Sequence, residues 1–103
     1  MANVISNVFK EELLKGNHDF DGGATYKIAL YTSSKTVSAS DPTAYNTTNQ
    51  VANGNGYTTT GNTLTGAQVV GGSSASTAYV DFDDTSWTSA SFTARYAQIY
   101  RSD

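Results

Sequence analysis

Only one stretch of this chain carries helical apolar spacing, so nearly everything after it has to build a core from short strands. In VISNVFKEELLK, residues 4–15, apolar side chains fall at positions 4, 5, 8, 9, 13 and 14. That spacing lays them along one stripe of a helix. Asn3 is placed to cap the first turn, its side-chain oxygen accepting an early backbone N–H. Gly16 is placed to end the helix, because it enters the left-handed region without a Cβ clash. Glu11 and Lys15 stand one turn apart, the spacing of a surface ion pair. The stripe reads as the packing face of an amphipathic helix laid on a sheet. A helix for a membrane surface would carry more Lys or Arg on its polar side. Val4 and Phe9, both on the stripe, are candidate interface residues.

Downstream, TYKIALYT (25–32) is the clearest strand. Alternation sends Tyr26, Ile28 and Leu30 to one face and Lys27, Ala29 and Tyr31 to the other. Residues 33–56 read as a long polar loop that includes Asp41-Pro42, with a short strand or helical turn at 50–52. The NGNG run at 53–56 closes it as a tight turn, since Asn-Gly takes positive φ readily. From 57 to 101 the pattern predicts a β meander, with strands near 57–60, 62–65, 67–70, 78–82 and 92–100. Gly61, the 71–74 run and the 83–86 run supply the breaks. No repeat and no boundary interrupts the chain. Residues 1–103 therefore read as a single domain, mainly β: a small antiparallel β-sandwich or barrel-like fold with one N-terminal amphipathic helix.

Composition bears on order and on function. Ser, Thr, Asn and Gly supply 44 of the 103 residues. Disorder would favour fewer aromatics and more charge than the 12% aromatic content and net charge of −3 seen here. A domain of this size buries only about two-thirds of its unfolded surface, so neighbouring chains are expected to add to the core. No apolar run approaches the roughly 20 residues of a membrane-spanning helix, and the opening MANVISNVFK has no secretory pattern. With no Cys, disulfide frameworks and thiolate metal sites are excluded. A single His, His18, excludes a multi-histidine centre. The acidic balance argues against a nucleic-acid partner, because phosphate binding wants a basic face. No cofactor is expected.

Few residues suggest chemistry. Asp81, Asp83 and Asp84 are calcium candidates, because clustered carboxylates at a turn supply hard oxygen ligands. The plainer reading is a solvated strand end. As a general acid–base pair they would need a cleft that raises one pKa, and a polar turn offers none. His18 beside Asp19 and Asp21 invites a triad, but no G-x-S-x-G elbow is present, and His18 reads as a loop residue past a helix end. Gly54-Asn55-Gly56 lacks the Lys and helix of a phosphate loop. Trp87, Phe82, Ile28 and Leu30 read as core. For Tyr31, Tyr45 and Tyr57, core and interface are equal readings, since Tyr gives contact area at low entropy cost. Arg95 and Arg101 fall on one side of the last strand and are expected to pair with acidic neighbours.

Several segments together resemble a known group. VISNVFKEELLKG leads through a D-x-D loop into YKIALYTSS, then GNGYTTTGNTLTG and FDDTSWTSASFTARYAQIY follow. This order is similar to that of small proteins in the structural modules of tailed bacteriophages, over nearly the whole length. The polar GYTTTG run and Gln50, which stands where an acidic residue is expected before Val51, depart from that group's pattern. The resemblance implies a non-enzymatic virion protein assembled in the host cytoplasm. Its most plausible role is a capsid decoration, or cement, protein that contacts the major capsid protein and copies of itself, as a trimer, with no nucleic acid and no membrane. The alternative is a tail or baseplate-associated protein that binds a host receptor or glycan. A small hydrolase using His18 and a host-directed inhibitor are the remaining readings.

Overall fold

β1 (Tyr26–Tyr31) is the strand around which the rest is arranged. In the computed structural model, which describes residues 3–40, 44–71 and 76–103, it lies at the centre of a three-stranded sheet. β2 (Asn62–Leu64) and β5 (Tyr96–Arg101) pair antiparallel on either side of it. β3 (Gln68–Val70) and β4 (Tyr79–Asp81) form a separate antiparallel pair. One helix, α1 (Asn7–Leu14), precedes them. The fold is therefore mainly β, with two small antiparallel sheets and one N-terminal helix, as the strand and helix patterns predict. Its second half is not a meander. β5 returns to β1 across most of the sequence instead of pairing with β4, and residues 57–60 make no strand: Tyr57 only bridges Gly54, and the Gly61 N–H closes a turn onto the Thr58 carbonyl.

α1 is shorter than the expected 4–15. Ser6, not Asn3, caps it, its Oγ accepting from the Phe9 N–H at 3.1 Å. The β-branched pair Val4-Ile5 disfavours helix at this point, and the backbone is extended at Ser6. The other end matches expectation. Gly16 has φ +76°, its N–H donates to the Leu13 carbonyl, and the Asn17 N–H donates to the Glu12 carbonyl. That is a Schellman stop. Lys15 and Glu11 pair at 2.6 Å on the surface. No residue of α1 is buried, and Leu14 is 91% exposed, so the expected packing stripe is mostly open.

β1 pairs with β2 only through Tyr26, Lys27 and Ile28. Beyond that point other groups complete its ladder. The Val51 N–H donates to the Leu30 carbonyl at 3.0 Å, and Tyr31 forms a bridge with Gln50. The Leu30 N–H donates to the Tyr57 hydroxyl at 3.0 Å. The stretch expected as plain loop thus supplies the missing edge. The tight turn at 54–57 is as expected, with Asn55 and Gly56 both at positive φ, and it aims Tyr57 at β1. Gly61 lets the chain pass very close to β1: a Cβ there would stand 1.9 Å from the Ile28 carbonyl oxygen.

Cross-strand partners share a face. Lys27, Ala29 and Tyr31 lie with Tyr100, Gln98 and Tyr96. Residues 44–60 cover this face: Tyr45 stacks on Tyr100 at 4.1 Å, and the Tyr31 and Tyr100 hydroxyls donate to the Asn46 and Thr60 carbonyls. Tyr26, Ile28 and Leu30 share the opposite face with Arg101, Ile99 and Ala97. There, Phe9, His18, Phe20 and Phe82 cluster at the Tyr26 end. Among the described residues the buried apolar side chains are Tyr26, Ala29, Tyr31, Val51 and Tyr57. Ile28, Leu30, Phe82 and Trp87, expected as core, are only half-buried. The face that Ile28 and Leu30 share with β5 is open around Ile99, which is 52% exposed. Trp87 packs beside Tyr57, its indole N–H buried without an acceptor among the described residues. The expected Asp41-Pro42 loop and 72–74 break lie outside the described residues.

Gly61→Ala combines a forbidden contact with a positive φ of +81°. It is expected to cost about 3 kcal/mol or more, against roughly 1 kcal/mol for Gly22→Ala, where positive φ meets open space. Paired urea melts measure the difference, and equal midpoints for the two variants would remove the close approach from the account.

Candidate functional site

The side of β5 away from β1 has no partner strand among the described residues. The Ser102 N–H donates to the Thr25 carbonyl, which fixes the phase of the strand. Backbone groups of Tyr100, Gln98 and Tyr96 therefore point to β1, and those of Ala97, Ile99 and Arg101 point away. A cleft of about 610 Å³ lies along this strand. One wall is formed by residues 3–6 and 35–38, tied together where the Asn7 N–H donates to the Ala39 carbonyl at 2.8 Å. Val80 and Phe82 form another, and the Phe9, His18, Phe20 and Tyr26 rings close one end.

Its charge is the reverse of the whole chain's. Lys35, Arg95 and Arg101 line the cleft, and no Asp or Glu among the described residues does. These are three of only six Lys and Arg in a chain of net charge −3. Lys35 holds its ammonium 4.2 Å from the centre of the Tyr31 ring, a cation–π contact. Arg101 pairs with Asp103 at 2.9 Å and also donates to the Asn17 carbonyl. That pairing holds the Asp103 carboxyl below its usual range and the Arg101 guanidinium above its own. Arg95 makes no ion pair among the described residues. The expected acidic partner is thus found for Arg101 and not for Arg95.

His18 lies in the connection after α1, as expected, and its side chain is a link between two elements. Its side chain is 8% exposed. Nδ1 lies 3.1 Å from the Tyr26 hydroxyl and Nε2 3.1 Å from Glu12 Oε1. The ring packs against Phe9 at 4.7 Å. Through these contacts it fastens α1 to β1. Both ring nitrogens have hydrogen-bond partners.

Of the five interface candidates, Tyr31 and Tyr57 are core residues. Their rings fill the space over β1, and their hydroxyls are satisfied internally. Tyr45 is half-buried, stacked on Tyr100, and donates to Gln50 Oε1 at 3.0 Å. Val4 and Phe9 both line the cleft. Asp81, Asp83 and Asp84 are exposed, and no group of three or more metal-ligating side chains comes together among the described residues. Asp83 instead covers Gly66, and its N–H donates to the Thr65 carbonyl. Sequence reasoning passed over Lys35 and Ile99 and the open edge of β5. The available signal was the run RYAQIYR, in which cations bracket a small and an aliphatic residue on one face. No described helix is long and apolar enough to cross a membrane. Comparison with protein families, curated proteins and solved structures finds no match to this chain.

Burial raises the hydroxyl pKa of three tyrosines. Tyr26 and Tyr31 are pushed up mainly by desolvation, and Tyr100 is pushed up to about 12 by desolvation and the neighbouring Tyr45. An unfolded tyrosine ionises near about pH 10. The folded state therefore keeps its protons longer. The stability from these groups is complete below about pH 10 and is lost as pH rises through the folded values. Absorbance at 295 nm should show tyrosinate forming in two phases, the later one coincident with loss of far-UV circular dichroism between about pH 10 and 12. All seven tyrosines titrating together near pH 10 without unfolding would contradict the burial assigned to Tyr26, Tyr31 and Tyr100.

Proposed function

We propose that this chain is a non-enzymatic structural protein whose folded state is completed by neighbouring subunits, and specifically a virion protein of a tailed bacteriophage. The observation that carries the first part is unburied surface. The chain exposes 6917 Å², whereas a monomer of 10.9 kDa is expected to expose about 5,600 Å². The excess, about 1,300 Å², exceeds the roughly 800 Å² that each partner buries in a standard interface. The radius of gyration agrees: 14.7 Å against about 12.8 Å for a compact chain of this length. Exposed aliphatics such as Val4, Ile5, Leu14, Val69 and Ile99 form part of that surface.

The phage assignment rests on the sequence resemblance, and within it capsid decoration is the preferred role. A domain with five buried apolar side chains among its described residues gains stability from any partner that binds only its folded form. Negative net charge suits the outside of a shell and not contact with packaged DNA. The partners in this reading are the major capsid protein and further copies of the chain, as a trimer.

Cryo-EM of the particle that carries the protein decides the role. The outer head lattice should show density for it, with hundreds of copies per particle by quantitative mass spectrometry. A few copies confined to the tail would replace the decoration role with the tail or baseplate one, and absence from purified particles would end the virion reading.

A further inference from the structure

We propose that β5 accepts an extended, carboxylate-bearing segment of a partner protein as a fourth strand of the β2-β1-β5 sheet. This goes beyond the virion reading and stands without it. Three independent features of the cleft converge on it.

The first is backbone. Ala97, Ile99 and Arg101 present N–H and C=O groups away from β1, with no hydrogen-bond partner among the described residues. Such a row is a template for an added strand. β5 is six residues long, about 20 Å at strand rise.

The second is charge. Lys35, Arg95 and Arg101 line the cleft without a carboxylate among its described lining residues, and of the two arginines Arg101 is held by Asp103 whereas Arg95 has no ion pair among the described residues. The chain's net charge of −3 makes this concentration of cations local. Desolvating Arg95 without a counter-charge would be costly, so the matching surface carries acidic groups. The third is shape and polarity. Val4, Ile5, Val80 and Ile99 are all exposed and all line the cleft, which suits apolar side chains on the incoming strand.

Alternation turns these features into a pattern. Ala97, Ile99 and Arg101 are at alternate positions, on one face, and Arg95 precedes the strand, where its N–H donates to the Tyr31 carbonyl while its side chain lines the same cleft. Opposite them the added strand carries apolar, apolar and acidic residues at alternate positions, and a further acidic residue two positions beyond the apolar pair reaches Arg95 across the cleft. The two carboxylates are thus six residues apart with two aliphatics between. The pattern reads the same in either direction, so it holds for parallel and antiparallel addition. A second copy is the poorer occupant. Pairing β5 with β5 brings two cationic rows together and, in one register, sets Arg95 against Arg101.

The probe is a labelled seven-residue peptide with Glu at positions 1 and 7, Val at 3 and 5, and Thr between. It is titrated into the whole chain by fluorescence anisotropy and amide NMR. Saturable binding is expected, with shifts centred on residues 95–101. Lys in place of both Glu residues should weaken binding about tenfold or more, as should Arg95→Glu in the protein. N-methylation of the peptide amides that face β5 should abolish binding. Arg95→Gln, a milder change at an exposed site, should fall between wild type and Arg95→Glu. Absence of saturable binding, or equal binding of the Glu and Lys peptides, overturns the proposal. It is also overturned if ultracentrifugation finds a dimer that Ile99→Lys dissociates, since a second copy would then hold the edge.

Discussion

The hydrogen bond from the Leu30 N–H to the Tyr57 hydroxyl is the contact on which the rest of the structure depends. β2 is three residues long, so half of β1 runs past its neighbour. A central strand with open backbone groups would be costly, because a buried donor without a partner loses its hydration and gains nothing. The chain solves this with a side chain. Tyr57 reaches the Leu30 N–H, Gln50 Nε2 donates to the same hydroxyl at 2.6 Å, and Val51 takes the Leu30 carbonyl. Residues 44–60 are held against the sheet by this junction, and with them Tyr45, whose hydroxyl donates to the same Gln50 side chain.

The junction also explains how a chain so rich in small polar residues keeps a core. Among the described residues, three of the five buried apolar side chains are tyrosines. Each brings a large ring inward and places its hydroxyl on a backbone or side-chain partner: Tyr31 on Asn46, Tyr57 on Leu30 and Gln50, Tyr26 on His18. Aliphatic side chains could fill the same volume but could not fasten the loops. The cost is area, since many aliphatics are left outside. The unburied surface that points to assembly and the hydroxyl-fastened core therefore have one origin.

Local chemistry was legible in the sequence. The alternation of YKIALY, the glycine stop at Gly16, the Glu11–Lys15 pair and the Asn55-Gly56 turn each depend on residues a few positions apart. Long-range choices were not. Whether Ala29 and Tyr31 or Ile28 and Leu30 line the drier face depends on which segment covers each side, and residues 44–60 settle that from far along the chain. Asn3 and Ser6 are equally good caps by type, and only the β-branched Val4-Ile5 pair separates them. The destination of β5 was hidden for the same reason, since nothing local says that Tyr96 pairs with Tyr31. The cleft inherits that ambiguity: Val4 and Phe9 were readable as surface candidates, but the cation row facing them exists only once β5 is beside β1.

The most direct test of the tyrosine-fastened core is Tyr57→Phe, which keeps the ring and deletes the oxygen. The account predicts a loss of about 1–3 kcal/mol in urea unfolding, as expected for a buried donor left unsatisfied. It also predicts lost hydrogen-exchange protection at the Leu30 amide. A variant as stable as the parent, with the Leu30 amide still protected, would contradict it.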